Sequence, residues 1–145
     1  MKPASVLVFA LGLAPAIAAA PRDVTFRKVT LTNEYFCDGI NAADFDGDGK
    51  MDIVAGPYWY AGPDFKTRHE FYPPVPQPLE EKPTNSMFSF PYDFNGDGRI
   101  DILVLGRVLF HEANWYENPG PATAKQPEAR WKKHFISPRV FGEAP

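Results

Sequence analysis

Two copies of one acidic motif, 49 residues apart, constrain this chain more than any other feature. The first, at residues 44–56, reads DFDGDGKMDIVAG; the second, at residues 93–106, reads DFNGDGRIDILVLG. A period of that length belongs to propeller blades and solenoid units, whose single supersecondary unit cannot bury its apolar face alone. The match extends past the motif. Trp59-Tyr60 follows the first copy, and Trp115-Tyr116 follows the second after seven extra residues, which are expected to lengthen a hairpin around residues 107–114. Each copy then closes on an aromatic and basic run: Arg68-His69-Glu70-Phe71 in one, Trp131-Lys132-Lys133-His134-Phe135-Ile136 in the other. A similar run, Phe26-Arg27-Lys28-Val29-Thr30-Leu31, precedes the first copy and reads as one more strand.

The order within each copy is therefore apolar strand, acidic loop, apolar strand, Trp-Tyr strand, loop, closing strand. Residues 53–55 and 100–105 are short aliphatic runs bounded by turn residues, the pattern of buried strands rather than helices. The 16 prolines and 11 glycines also favour short strands joined by turns. Residues 73–83 hold Pro73, Pro74, Pro76, Pro78 and Pro83, so they cannot donate regularly to a ladder and form an extended connection. A second proline-rich loop, residues 118–129, is expected at a hairpin tip. The fold class read from this pattern is all-β, with antiparallel four-stranded units.

A net charge of -3, with no cluster of Lys or Arg, argues against a nucleic-acid partner. The 14% aromatic content argues against a disordered chain, and 145 residues allow one ordinary domain. The first nineteen residues read as a secretory signal peptide. Lys2 supplies the positive end, residues 6–17 the apolar stretch, and Ala18 or Ala19 the cleavage position. The apolar run is shorter than the ~20 residues of a spanning helix and is broken by Pro15. Residues 20–145 are then the mature chain, secreted or periplasmic, with no membrane span. Cys37, the single cysteine, cannot pair within the chain and is expected to pack as a small hydrophobe.

The acidic loops carry the legible chemistry. Asp44, Asp46, Asp48 and Asp52 occupy positions one, three, five and nine of the first loop; Asp93, Asn95, Asp97 and Asp101 match them in the second. Alternating oxygen side chains in a glycine-rich loop can converge on one centre. Calcium suits such a set, since it takes six to eight oxygens and accepts backbone carbonyls. The position-seven carbonyls of Lys50 and Arg99 complete the ring in this reading, with their side chains directed to solvent. An EF-hand is excluded, because its twelfth-position Glu is Ala55 in one copy and Val104 in the other, and strands follow the loops. Magnesium prefers fewer carboxylates and retained waters, and a metal-free acidic turn does not explain two copies at one internal spacing. The two sites are expected to act independently, with the first the more calcium-dependent because it has four carboxylates.

The motif Asp-x-Asp/Asn-x-Asp-Gly-x-x-Asp followed by an aliphatic strand resembles the calcium loops of FG-GAP/VCBS repeats, found in integrin-alpha-type β-propellers. Trp115-Tyr116 with Asn118-Pro119-Gly120, and the closing Trp131-Lys132-Lys133-His134, resemble the version common in secreted bacterial proteins. The resemblance covers roughly residues 26–145. It implies propeller blades, about two of them, with repeat one at residues 26–72, the connection at 73–83 and repeat two at 84–137. It also implies Ca2+ held by Asp44, Asp46, Asp48, the Lys50 carbonyl and Asp52, and by Asp93, Asn95, Asp97, the Arg99 carbonyl and Asp101. Two blades do not close a ring, so the remaining blades are expected in a longer chain or an oligomer.

Two functions compete. One is a calcium-stiffened platform for an extracellular protein or glycan, on which Trp59, Tyr60, Trp115 and Tyr116 either stack on sugars or, as the commoner use of large aromatics, pack the core. The alternative is a fragment of a secreted propeller enzyme acting on carbohydrate, of lyase or dehydratase type. Its candidates are His69, His111 and His134 with Glu70 and Glu112. Adjacent His-Glu pairs on a strand point to opposite faces, which disfavours joint action. No catalytic residue is assigned.

Overall fold

The computed structural model describes residues 23–80, 83–107, 111–121 and 130–139. The expected signal peptide, and most of the proline-rich loop at 118–129, lie outside the described residues. Eight strands form two four-stranded antiparallel sheets. The first holds β1 (Ile40–Ala43), β2 (Asp52–Ala55), β3 (Tyr58–Tyr60) and β4 (Arg68–Glu70) in chain order. The second holds β5 (Phe88–Tyr92), β6 (Asp101–Leu105), β7 (Ala113–Glu117) and β8 (Lys132–Ser137), again in order. The all-β expectation is met, and the two sheets do not close on each other.

Register follows from the acidic loops. Ala43 pairs with Asp52 at the mouth of the first loop and Tyr92 pairs with Asp101 at the mouth of the second. Because strand side chains alternate, that register lines up Val54, Trp59 and His69 across one face, and Leu103, Trp115 and His134 across the matching face. His69 stacks on Trp59 at 4.0 Å and His134 on Trp115 at 3.9 Å.

The core forms where the first sheet's Trp59 face meets the second sheet's opposite face. Phe45, Val54, Trp59 and Phe71 pack there against Ile102, Val104, Tyr116 and Trp131, all nearly inaccessible. Burying each large side chain contributes roughly 1.5–3 kcal/mol. Backbone contacts join the sheets on both sides of this core. Gly39 N donates to Met87 O at 2.8 Å, and Trp131 N to Phe71 O at 3.0 Å. A Cβ on Gly39 would stand 2.7 Å from the Phe88 ring, so the close approach of β1 to β5 requires glycine there. Arg130 adds a cross-sheet pair to Glu70 at 2.8 Å.

One expected strand is absent. Residues 26–31 pair with nothing, and Phe26 is 93% exposed. The two sheets end on β1 and β4 and on β5 and β8, and this run forms no ladder with any of those strands. Only Leu31 of this run reaches a core, a smaller cluster of Phe36, Ala55, Tyr58 and Tyr60 that Cys37 also touches. Cys37 is thus partly buried, and that burial pushes its thiol above its ordinary range. Residues 73–78 run without strand structure, as the prolines require. No helix among the described residues is long and apolar enough to cross a membrane.

Candidate metal centre

Both acidic loops fold around their first carboxylate. Asp44 Oδ1 accepts from Gly47 N at 2.8 Å and Asp48 N at 3.1 Å, while Oδ2 accepts from Gly49 N at 2.9 Å. Asp93 repeats this with Gly96 N at 2.7 Å, Asp97 N at 3.1 Å and Gly98 N at 2.9 Å. The third-position side chains, Asp46 and Asn95, each accept from the amide two residues on. So do the fifth, Asp48 and Asp97, which accept from Lys50 N and Arg99 N. Gly47, Gly49, Gly96 and Gly98 adopt φ between 75° and 83° with open space about their Cβ positions. Left-handed backbone, not crowding, is therefore what demands glycine in these turns.

This wrapping brings oxygens of Asp44, Asp46 and Asp48 within 4.8 Å of one another. Carboxylate charges at ~4 Å repel by about 1 kcal/mol in water. Lys50 answers part of that repulsion: its Nζ lies 2.5 Å from Asp48 Oδ2 and holds the Asp48 carboxyl below its ordinary range. Arg99 makes the corresponding contact to Asp97. Burial pushes Asp97 upward, but the Arg99 amide, Asn95 and the guanidinium together outweigh it and lower the carboxyl. Both basic side chains thus fold back onto the loops instead of pointing to solvent as expected. Charge neutralisation, together with a backbone acceptor for Arg99, favours the folded-back position.

Asp52 and Asp101 sit apart from these clusters at the hairpin base, 1% and 0% exposed. Asp52 accepts from Phe45 N at 2.8 Å and from Gly62 N at 2.8 Å. Asp101 accepts from Phe94 N at 3.0 Å and from Asn118 N at 2.7 Å. Each is a latch that ties the loop's second residue to the chain leaving the sheet's third strand. Burial raises both carboxyls above their ordinary range, against the pull of those amides. One amide on each oxygen leaves lone pairs over, since an ionised carboxylate has about four acceptor sites.

The donor chemistry fits a hard cation: three convergent carboxylates at the first loop, and Asp93, Asn95 and Asp97 on an equivalent scaffold at the second. The loops are neighbours. Asp44, Phe45, Asp46 and Gly47 face Gly98, Arg99, Ile100 and Pro121 across a cleft of about 340 Å³.

Asn118 is the residue that motif reading missed. It is 3% exposed; its Nδ2 donates to Phe45 O at 2.7 Å and to Ile100 O at 2.9 Å, and its Oδ1 accepts from Gly120 N at 2.9 Å. Its carbonyl accepts from Arg99 Nε at 2.8 Å. The Asn-Pro-Gly run was the available signal, but which loop it faces is not written in it.

The residues considered for acid-base chemistry separate. His69 is buried on Trp59, whereas Glu70 faces the other way and pairs with Arg130. Glu112 pairs with Lys133, and His134 Nε2 lies 2.7 Å from Glu117 Oε2. Trp59, Tyr60 and Tyr116 are 2%, 2% and 8% exposed, which removes them as sugar-stacking surfaces and makes them core; Trp115 is half-buried. Comparison with family models, with curated proteins and with solved structures finds no match to this chain.

Proposed function

We propose that this chain is an exported calcium-binding module of the FG-GAP/VCBS propeller type, serving as a rigid platform for an extracellular protein or glycan. The observation that carries the reading is the recurrence of one hydrogen-bond scheme, donor for donor, in two loops, the first of which brings three carboxylates within 4.8 Å of one another. In the first loop the ligands are Asp44, Asp46 and Asp48 with the Lys50 carbonyl, and Asp52 through its remaining lone pairs. In the second they are Asp93, Asn95 and Asp97 with the Arg99 carbonyl, and Asp101. A bound cation removes the carboxylate repulsion and takes over the neutralising role of Lys50 and Arg99.

Further sheets of the same kind complete the platform, in a longer chain or in an oligomer. What supports this is a contrast between equivalent positions. Phe45 is 3% exposed under the second sheet, while its counterpart Phe94 is 38% exposed and neighbouring Tyr92 is 65% exposed. The uncovered face of the second sheet carries the same Trp-His stack that the first sheet buries.

Thermal unfolding in calcium and in chelator tests the calcium reading. At free calcium 100-fold above Kd, stability should rise by about 2.7 kcal/mol per site, and the rise should vanish with chelator. A melt indifferent to calcium, with no heat on titration, refutes it.

A further inference from the structure

We infer that the two loops bind metal cooperatively and that Asn118 is the positioning residue that couples them. This rests on the calcium reading proposed above and departs from the independence expected of two separate motifs. One carboxamide has two N–H groups, and Asn118 gives one to each loop: to the carbonyl of Phe45, position two of the first, and of Ile100, position eight of the second. Its own amide is held by Asp101, the latch of the second loop, and its carbonyl by Arg99, which also grips Asp97. On the other side, the amide of Phe45 is held by Asp52, the latch of the first loop. A continuous hydrogen-bonded path therefore runs from Asp52 through Phe45 and Asn118 to the Ile100 peptide and to Asp101.

The path is rigid where it crosses between the sheets. Asn118 is buried, both its side-chain donors and its acceptor are used, and Gly120 (φ 85°) completes the turn that holds it. A Cβ on Gly120 would stand 3.0 Å from Arg99 Cδ, so the turn and the arginine are fitted to each other. Ordering the first loop around a cation fixes the Phe45 peptide, and with it the carboxamide that sets the Ile100 peptide. The second loop then loses less conformational freedom when it binds, which is positive coupling. Repulsion between the two bound cations opposes this, but the loops are solvent-exposed and salt screens it.

The test is a calcium chloride titration of the full chain followed by amide NMR, in which Gly47 and Gly49 report the first loop and Gly96 and Gly98 the second. In the unaltered chain background, Asp46→Asn should weaken the first loop and also shift the second loop's midpoint upward by about fivefold. In an Asn118→Ala or Asn118→Asp background, the same Asp46→Asn change should leave the second loop's midpoint where it was. Asn118→Asp keeps the acceptor for Gly120 while removing both donors, so it reports on the donors even if Asn118→Ala folds poorly. A second-loop midpoint that ignores Asp46→Asn with Asn118 intact overturns the coupling, whatever the Asn118 variants do. Absence of calcium-dependent shifts at both loops overturns the calcium reading itself, and the coupling with it.

Discussion

Removing the Asp52 carboxylate leaves the amides of Phe45 and Gly62 without their acceptor inside a closed hairpin base. Hydrogen bonds to a charged group contribute about 1.5–3 kcal/mol, so Asp52→Ala should cost at least about 2 kcal/mol of stability in chelator, read by urea unfolding. Asp46→Asn should differ sharply. In chelator it removes a repelling charge from an exposed cluster and leaves stability unchanged or slightly raised, while in calcium it loses part of the gain that the first loop contributes. Equal losses for the two variants without metal would end the distinction between a carboxylate that holds the hairpin base closed and one that serves only the cation. The motif spells these carboxylates alike; burial separates them, and a linear pattern contains no burial.

His69 gives a second residue-scale expectation. Burial on Trp59 lowers its pKa below the ordinary 6.5, with Asp46 opposing, and Nδ1 has no hydrogen-bond partner among the described residues. A base with a depressed folded pKa binds fewer protons folded than unfolded, so stability falls as pH drops below about 6.5 toward the folded value. His69→Phe should flatten that part of a melting-temperature profile, and a variant whose acid limb matches the parent would contradict the assignment. The sequence marks His69 and His134 as equivalent. Only packing makes one buried and leaves the other beside Glu117.

At the scale of the element, the strand order read from the repeat, short aliphatic runs and turn residues is the order found, because register follows from loops whose geometry is local. The Trp-bearing strands β3 and β7 match in pattern, yet Trp59 is core and Trp115 is half-buried. Trp59→Ala should cost about 3–5 kcal/mol, in the range of buried aromatic truncations, and Trp115→Ala clearly less in the isolated chain. Denaturant melts of the two variants decide it, and equal costs would mean the second sheet's outer face is covered in solution. The run at residues 26–31 shows the opposite failure. It has strand composition, but a strand forms only where it pairs with a neighbour, and composition does not supply that pairing.

For the whole molecule, the asymmetry between faces has a direct consequence. Phe45→Asp puts a charge under the second sheet and should abolish cooperative folding. Phe94→Asp puts the same charge at the equivalent motif position on the uncovered face and should leave the melt nearly intact while reducing self-association in light scattering. If Phe94→Asp unfolds the chain as Phe45→Asp does, that face is not a free surface.

The sequence by itself determined the two acidic loops, their glycine turns, the all-β class and the strand that follows each motif. These depend on interactions spanning a few residues, so the residues involved are adjacent in the text. Tertiary structure alone decided which of two identical aromatic faces is buried, that Asp52 and Asp101 latch while Asp44 and Asp93 wrap, and that Asn118 joins the loops across 73 residues. Those outcomes depend on which sheet lies against which. Two copies of one motif carry the same instructions but meet different neighbours.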